Sequence, residues 1–491
     1  MTDPVFGISI TRDGAEPRPA VGYDMSVIGL VGTAPAATAE VFPLNTPVLL
    51  NSDDAALLLA LGATGTLPPQ FDLINSQLGE FQVSARVVVV RVEAGADDDE
   101  TIANIVGSAA LKTGLYALKE AGPALGVVPR LIGVPGYTHQ RETGVATITV
   151  AAGGADYEVG DAITGTGGSG SGFAGEVATV DGEGAILTVT ITSGGSGYTG
   201  APALSVTSDA GEGATLTATV DDLANVVCAA LPPICSALIA HAVVTGPHST
   251  RAAYSEWRET LQSDRLIPVE TWAKVGSPAT DIDSVGLALG IGVRRDHEKG
   301  GLPFHSWANQ PCYGIVGPNR NIEFSLTDGS TEGQEILAEN GGIIVRGEAG
   351  VADAIASGGF VFIGTDNAGE DELWRFYSVT RGRDYIHLLM LRTLRFYLGR
   401  YNLNGQTIEA VVETMKSALR DLQAQGAILG YRVGFDAGDN SAEQLRQGKF
   451  NLTFKAEEAP VLRRLGLTSA RYRPALDTLL SDLLSQMDAA A

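Results

Sequence analysis

A chain of 491 residues with 44% hydrophobic content has apolar material for about two to four domains with real cores. Its 57 acidic and 33 basic residues give a net charge of -24, which repels a phosphate backbone and argues against direct nucleic-acid binding. The start, Met1-Thr2-Asp3-Pro4, lacks the basic residues and apolar run of a secretory signal, and no stretch reaches the roughly 18 apolar residues of a membrane span. The expectation is a soluble chain made in the cytoplasm, without stable membrane insertion.

Residues 1–22 carry Val5, Phe6, Gly7, Ile8 and Ile10, a short strand pattern, followed by Gly14, Pro17 and Pro19, which stop it. This reads as an N-terminal arm. Residues 23–140 then alternate strand and helix patterns. Val27–Val31 is an apolar strand, Ser52 is placed to cap a helix that ends at Gly62, and Val87–Val90 is a β-branched run of the kind covered on both faces. A helix is expected over about 101–121 and another strand over 127–134. The same α/β pattern resumes over 221–310, with a helix through Pro232-Pro233 and a strand at 242–245.

Between these halves, residues 141–220 are rich in Gly, Thr, Ala and Val and lack helical periodicity. Thr147–Val150 returns as Thr188–Ile191 and Tyr157 returns as Tyr198, so the segment reads as an inserted all-β domain with a two-fold internal repeat. A final domain of mixed α/β type is assigned to 311–491. Its clearest helix, about 407–425, places Ile408, Val411, Met415, Leu419 and Leu422 on one face and Lys416 and Arg420 on the other. Phe450, Leu452 and Phe454 alternate with polar residues as in a half-buried strand, and a C-terminal arm follows. The fold class expected is α/β and α+β multidomain.

No motif points to catalysis or to a cofactor. Gly165–Gly170 matches G-x-G-x-x-G, but a β-type run follows it where a nucleotide site needs a helix N-terminus. His297, His305 and Cys312 lack the spacing of tight metal-ligand pairs, and Asp97–Glu100 reads as charge favourable to a helix N-terminus. Cys235 with His241 or His248 is the best nucleophile and base on offer, yet it sits in an apolar run that favours an inert thiol. The odd number of cysteines, Cys228, Cys235 and Cys312, leaves an intersubunit disulfide open beside buried thiols. Between Arg375 and Arg400 six arginines, among them Arg381, Arg383, Arg392 and Arg395, face a single acidic residue, Asp384. Two readings stay open for them: pairing inside the chain, or docking on acidic surfaces of a neighbouring subunit or inner partner.

The order of several weak motifs resembles that of contractile tail sheath proteins of bacteriophages and of pyocin-type injection systems. They are Val27–Pro35, Phe42–Pro47, Cys312–Arg320, Asn340–Arg346, Trp374–Tyr377, Arg381–Ile386 and the strand Lys449–Lys455. The resemblance implies a homopolymeric virion component assembled in the host cytoplasm around an inner tail tube, meeting baseplate and tail terminator proteins. It also implies that Val5–Ile10 and Phe450–Phe454 pair between subunits, and that the inserted domain lies outside while 311–491 faces the tube. Lys416 and Arg420 then become candidates for contact with the tube. Two other classes compete: an α/β enzyme with a β insertion, and a surface-layer or adhesive protein.

Overall fold

The computed structural model describes residues 23–347, 359–436 and 438–489. The chain divides into two compact units, Met1–Ala459 and Pro460–Ala491. In the first unit, β1 (Ile28–Thr33), β2 (Pro47–Asn51), β3 (Arg86–Val92) and β4 (Leu131–Gly133) open a six-stranded sheet. β1 lies parallel to both β3 and β4, and β2 forms the edge antiparallel to β3. Val87 and Val89 enter one core and Val88 and Val90 the other, so the β-branched run is buried on both faces.

The helices between these strands are α1 (Ala55–Leu61), α2 (Pro68–Leu78), α3 (Asp98–Val106) and α4 (Ala121–Leu125). Two local expectations are corrected. Asp54, not Ser52, caps α1, its carboxylate accepting from the Ala56 and Leu57 amides. Ser52 is buried and accepts from the Ala85 amide instead, tying β2 to β3. The helix expected over 101–121 breaks at Gly107, where φ is 65° and a Cβ would come within 2.2 Å of the Thr113 carbonyl oxygen. A left-handed residue pressed against backbone cannot continue a helix.

After β4, six strands form a sheet of their own: β5 (Thr143–Ala152), β6 (Ala162–Thr166), β7 (Ser171–Val180), β8 (Ile186–Ser196), β9 (Ala203–Thr207) and β10 (Thr215–Asp222). Their order is β5-β10-β9-β6-β7-β8. Exchanging the first three strands for the last three turns this order into its own reverse, which makes the repeat a pseudo-two-fold. The axis passes between Thr164 and Ser205, repeat equivalents 41 residues apart whose hydroxyls lie 3.1 Å from each other. At the far ends of the order, β5 and β8 approach, and the Ile186 amide donates to the Gly153 carbonyl at 2.9 Å. Tyr157 and Tyr198 fill equivalent core places, each against a glycine, Gly211 and Gly170, whose Cβ would strike the ring. The glycine-rich segment 165–170 links β6 to β7 in antiparallel pairing, and no helix follows it.

The chain returns through α5 (Val226–Leu238), β11 (His241–Thr245), α6 (Arg251–Glu259) and β12 (Leu266–Val269), which complete the first sheet in the order β12-β11-β4-β1-β3-β2. The short strands β13 (Ala273–Val275) and β14 (Thr280–Ile282) precede α7 (Val285–Glu298), which packs with α2 on one face, while α3, α5 and α6 cover the other. Four further short strands, β15 (Gln310–Cys312), β16 (Gly317–Pro318), β17 (Ile343–Arg346) and β18 (Phe360–Ile363), surround α8 (Glu332–Ala338). Ile343 and Val345 enter one core of the first sheet, and Ile344 and Phe362 the other. The change of core therefore falls near Tyr377, not at Pro311.

A third core is built by α9 (Tyr377–Leu394), α10 (Gly405–Ala424), β19 (Ile428–Gly434) and β20 (Thr453–Glu458), with α11 (Ala442–Arg446) between the two strands. In the second unit, α12 (Pro474–Ala489) is the one helix among the described residues.

The ends of the six-stranded insertion meet: Leu223 donates its amide to the Glu142 carbonyl at 2.9 Å, and Thr143 pairs with Asp222. Its core is made of residues 145–220 alone. Replacing 143–222 by a short Gly-Ser link is expected to leave a cooperative thermal transition within about 5 °C of the parent, as for a change outside the remaining cores. A collapsed or aggregated product in scanning calorimetry would overturn the autonomy of this segment.

Candidate assembly interface

β19 and β20 pair antiparallel, with Val433 opposite Phe454 and Arg432 opposite Lys455. One face of this two-stranded sheet is anchored: Ile428, Tyr431, Val433, Leu452, Phe454 and Ala456 pack on α9 and α10. Leu429, at the irregularity in β19, and Phe435, just past its end, are exposed. Among the described residues, neither strand has a second ladder partner, so both outer edges present backbone donors and acceptors. A two-stranded sheet is marginal by itself and is completed by added strands. Phe454 lies within β20, while Phe450 and Leu452 precede it; Phe450 stacks at 5.5 Å on Phe435. Val5, Phe6, Gly7, Ile8 and Ile10 lie outside the described residues. The partner strand β19 escaped the sequence reading because Gly430 and Gly434 interrupt its alternation, although Tyr431 and Val433 preserve it.

The arginines divide into two groups. Arg381 is fully buried and binds Asp296 of α7 through both guanidinium ends, at 2.5 and 3.2 Å, beneath the ring of Trp307. Ser26 donates to the same carboxylate and Met25 offers its carbonyl to Arg381, so one ion pair joins α7, α9 and the segment entering β1. Burial pushes Asp296 upward in pKa and Arg381 pulls it back down. Arg383 clamps β20 to α9, donating to Glu458 at 2.6 Å and to the Ala456 carbonyl at 2.6 Å. Arg375 pairs with Asp366 at 2.5 Å, and Asp384 receives Arg265. Arg381 and Arg383 are thus committed inside the chain, which corrects their assignment as contact residues. Arg392 lies over the ring of Tyr23 at 5.3 Å, and Arg395 is exposed. On α10, Lys416 bonds Glu413 at 2.7 Å and Arg420 is exposed, so both remain on the helix's outer side.

The cysteines Cys228, Cys235 and Cys312 are buried, and burial pushes the Cys235 and Cys312 thiols up to about 12 and Cys228 beyond. That favours inert thiols over an intersubunit disulfide. His241, entirely buried, is held well below its usual pKa by desolvation and by Arg265 and Arg381, and is therefore a neutral hydrogen-bond partner of Thr380 at 3.1 Å. Cys235 therefore stays a protonated, poorly nucleophilic thiol.

A family model described as the phage tail sheath C-terminal domain matches residues 369–470, the segment that holds α9, α10 and the β19–β20 pair. The tail sheath protein of Escherichia phage P2 is 23% identical over 95% of this chain and 95% of its own length. A major tail sheath protein of Serratia phage KSP20 is 38% identical over 29% of this chain and 37% of its own. The chain is thus similar to tail sheath proteins over nearly its whole length, and to the sheath C-terminal domain over 369–470. Solved structures agree with that at the level of fold. The contracted sheath of an extracellular contractile injection system, PVC, superposes with a TM-score of 0.58 at 12% identity, covering 96% of this chain and 99% of its own. The contracted sheath of the anti-feeding prophage gives 0.52 at 13% identity, covering 96% and 99%. Within the segment of likeness, the distinguishing geometry of this chain is the open β19–β20 hairpin.

Removing one member of the Arg381–Asp296 pair leaves an uncompensated buried charge. Arg381→Ala or Asp296→Ala is expected to destabilise the monomer by about 3–5 kcal/mol in urea unfolding, and Arg381→Met with Asp296→Leu by far less. Equal losses for single and double variants would show that packing, not charge, makes this joint.

Proposed function

We propose that this chain is the structural subunit of a contractile tail sheath, polymerising as a helical tube around an inner tail tube and contracting to drive that tube through a host envelope. The observation that carries the reading is the two-stranded β19–β20 sheet, anchored on one face and open at both edges, within the segment of family likeness. Strands supplied by neighbouring copies complete such a sheet by backbone hydrogen bonds, and a head-to-tail contact that does not close produces an open helix. Val5–Ile10 is the proposed donor strand.

Contraction needs no fuel in this reading. Subunits move as rigid bodies from an extended lattice to a lower-energy one across a kinetic barrier, while the strand links hold. The inner tail tube, baseplate and tail terminator are the proposed partners, assembly takes place in the host cytoplasm, and the inserted domain decorates the outside. Lys416 and Arg420 of α10 are the proposed contact with the tube.

Proline at position 8 removes a donor and obstructs strand addition. Ile8→Pro is expected to stay a folded monomer at concentrations where the parent forms tubes in negative-stain microscopy, and unchanged tube formation would sink the donor assignment. Lys416→Glu with Arg420→Glu is expected to reduce co-sedimentation with purified inner tubes, more so at low salt because exposed charges are screened. Normal binding at every ionic strength would remove α10 from the tube contact.

A further inference from the structure

α12 presents an exposed apolar stripe. Leu476, Leu480, Leu483 and Met487 follow one another at alternating spacings of four and three, with Leu479 and Leu484 beside them, and all six are between 47% and 71% exposed. The other side of the helix carries Asp477, Asp482 and Asp488, and no Lys or Arg occurs from Pro474 to Ala489. A helix of this length gains its stability from packing its apolar face. An anionic lipid surface is a poor occupant, because helices that lie on one carry basic polar faces.

The same chain holds a surface of the complementary kind. Where α9 ends, Leu391, Leu398, Tyr401 and Leu403 are between 39% and 76% exposed, and the exposed Arg395 and Arg400 lie among them. This corner is rigid. Phe396, Tyr397 and Tyr401 pack ring on ring at 5.5 to 5.8 Å, Arg400 lies over Phe396 at 5.2 Å, and the Tyr397 hydroxyl is 3.0 Å from that of Thr414 on α10. Leucines with arginines on one surface match leucines with aspartates on the other, and both are exposed.

We infer that the leucine stripe of α12 docks on the Leu391–Leu403 corner of a second copy of this chain, its aspartates meeting Arg395 and Arg400. The inference rests on the sheath reading above, which supplies each subunit with neighbours of identical sequence. The contact is heterologous, helix to corner, so within the sheath reading it can repeat from copy to copy along a filament. It would add a side-chain lock, separate in sequence and chemistry from backbone pairing at β19 and β20.

The test uses full-length protein, whose natural cysteines are buried. Two chains, one with Leu484→Cys and one with Leu398→Cys, are mixed under polymerising conditions and oxidised mildly. A disulfide-linked dimer in the mixture, absent from either chain alone, is the expected result. In parallel, Leu480→Asp with Leu483→Asp, both exposed in the subunit, should leave the unfolding midpoint unchanged and raise the concentration needed for polymerisation by about tenfold or more. Linked dimers from the Leu484→Cys chain alone, with no mixed product, would mean that α12 pairs with itself and would overturn the docking. A doubly substituted chain that gives only an internally linked monomer would overturn the second copy. Tubes that form without the mixed link and tolerate both aspartates would overturn the docking while leaving the sheath reading intact; absence of any polymer from the parent chain would bring down both.

Discussion

The buried contact between Arg381 and Asp296 fixes the geometry on which the rest of the subunit depends. α7 belongs to the layer on the parallel sheet, α9 begins the helical layer that carries the hairpin, and Ser26 and Met25 belong to the segment that leads into β1. One guanidinium and one carboxylate tie all three. Such a pair is poor at raising stability over an apolar substitute, because both charges are stripped of water. What it does well is reject misplacement, since any displacement leaves a charge unpaired in a dry site. Trp307 extends that constraint: its ring covers Arg381 and its backbone amide donates to the Tyr377 hydroxyl at 2.8 Å. A subunit proposed to move as a rigid body in a lattice needs its sheet layer and its hairpin layer to keep one mutual orientation, and this joint supplies the means.

The inserted domain solves a different problem, how to add 80 residues of β structure without disturbing the parallel sheet. Its first and last strands pair with each other, so the two chain ends enter the host layer side by side, held by Asn225, which donates to the Tyr137 and Gln140 carbonyls. The internal two-fold makes the same local solution serve twice, with a tyrosine against a glycine in each half. Between Thr143 and Asp222 there is no Lys, Arg or His, and outward positions are largely threonine and serine. Hydroxyl pairs such as Thr164 with Ser205 satisfy neighbours across strands, which keeps the exposed faces polar without charge of both signs.

What could be read in the sequence was whatever local periodicity encodes. The valine run of β3, the apolar face of α10 with Met415, Leu419 and Leu422 buried, and the repeat of Tyr157 and Tyr198 all rest on spacings within a few turns or strands. The arginine cluster was not legible, because its partners lie far away along the chain: Asp296 is 85 residues from Arg381 and Glu458 is 75 from Arg383. A run of arginines looks like a docking patch until the fold delivers carboxylates to Arg375, Arg381 and Arg383. The Gly107 break was in principle visible as a glycine inside a helical window, but its neighbours Ser108 to Leu111 sustain the pattern well enough to mask it.

The hairpin and the sheath reading constrain each other. Two strands with one anchored face hold their shape only because α9, α10 and Arg383 hold them, and the bond from Arg383 to the Ala456 carbonyl uses up part of the backbone of β20. Left as they are, the outer edges are a liability in any concentrated solution of identical chains. A protein that merely needed solubility would cover them with a helix or break them with proline. Keeping them open is sensible where identical chains are the intended partner, and a backbone ladder suits a link that must survive rearrangement, because its register does not depend on the side chains that exchange partners around it. Side-chain surfaces, by contrast, can be remade at each lattice position, so the energy difference that drives contraction is best placed in them and the connectivity in the strands.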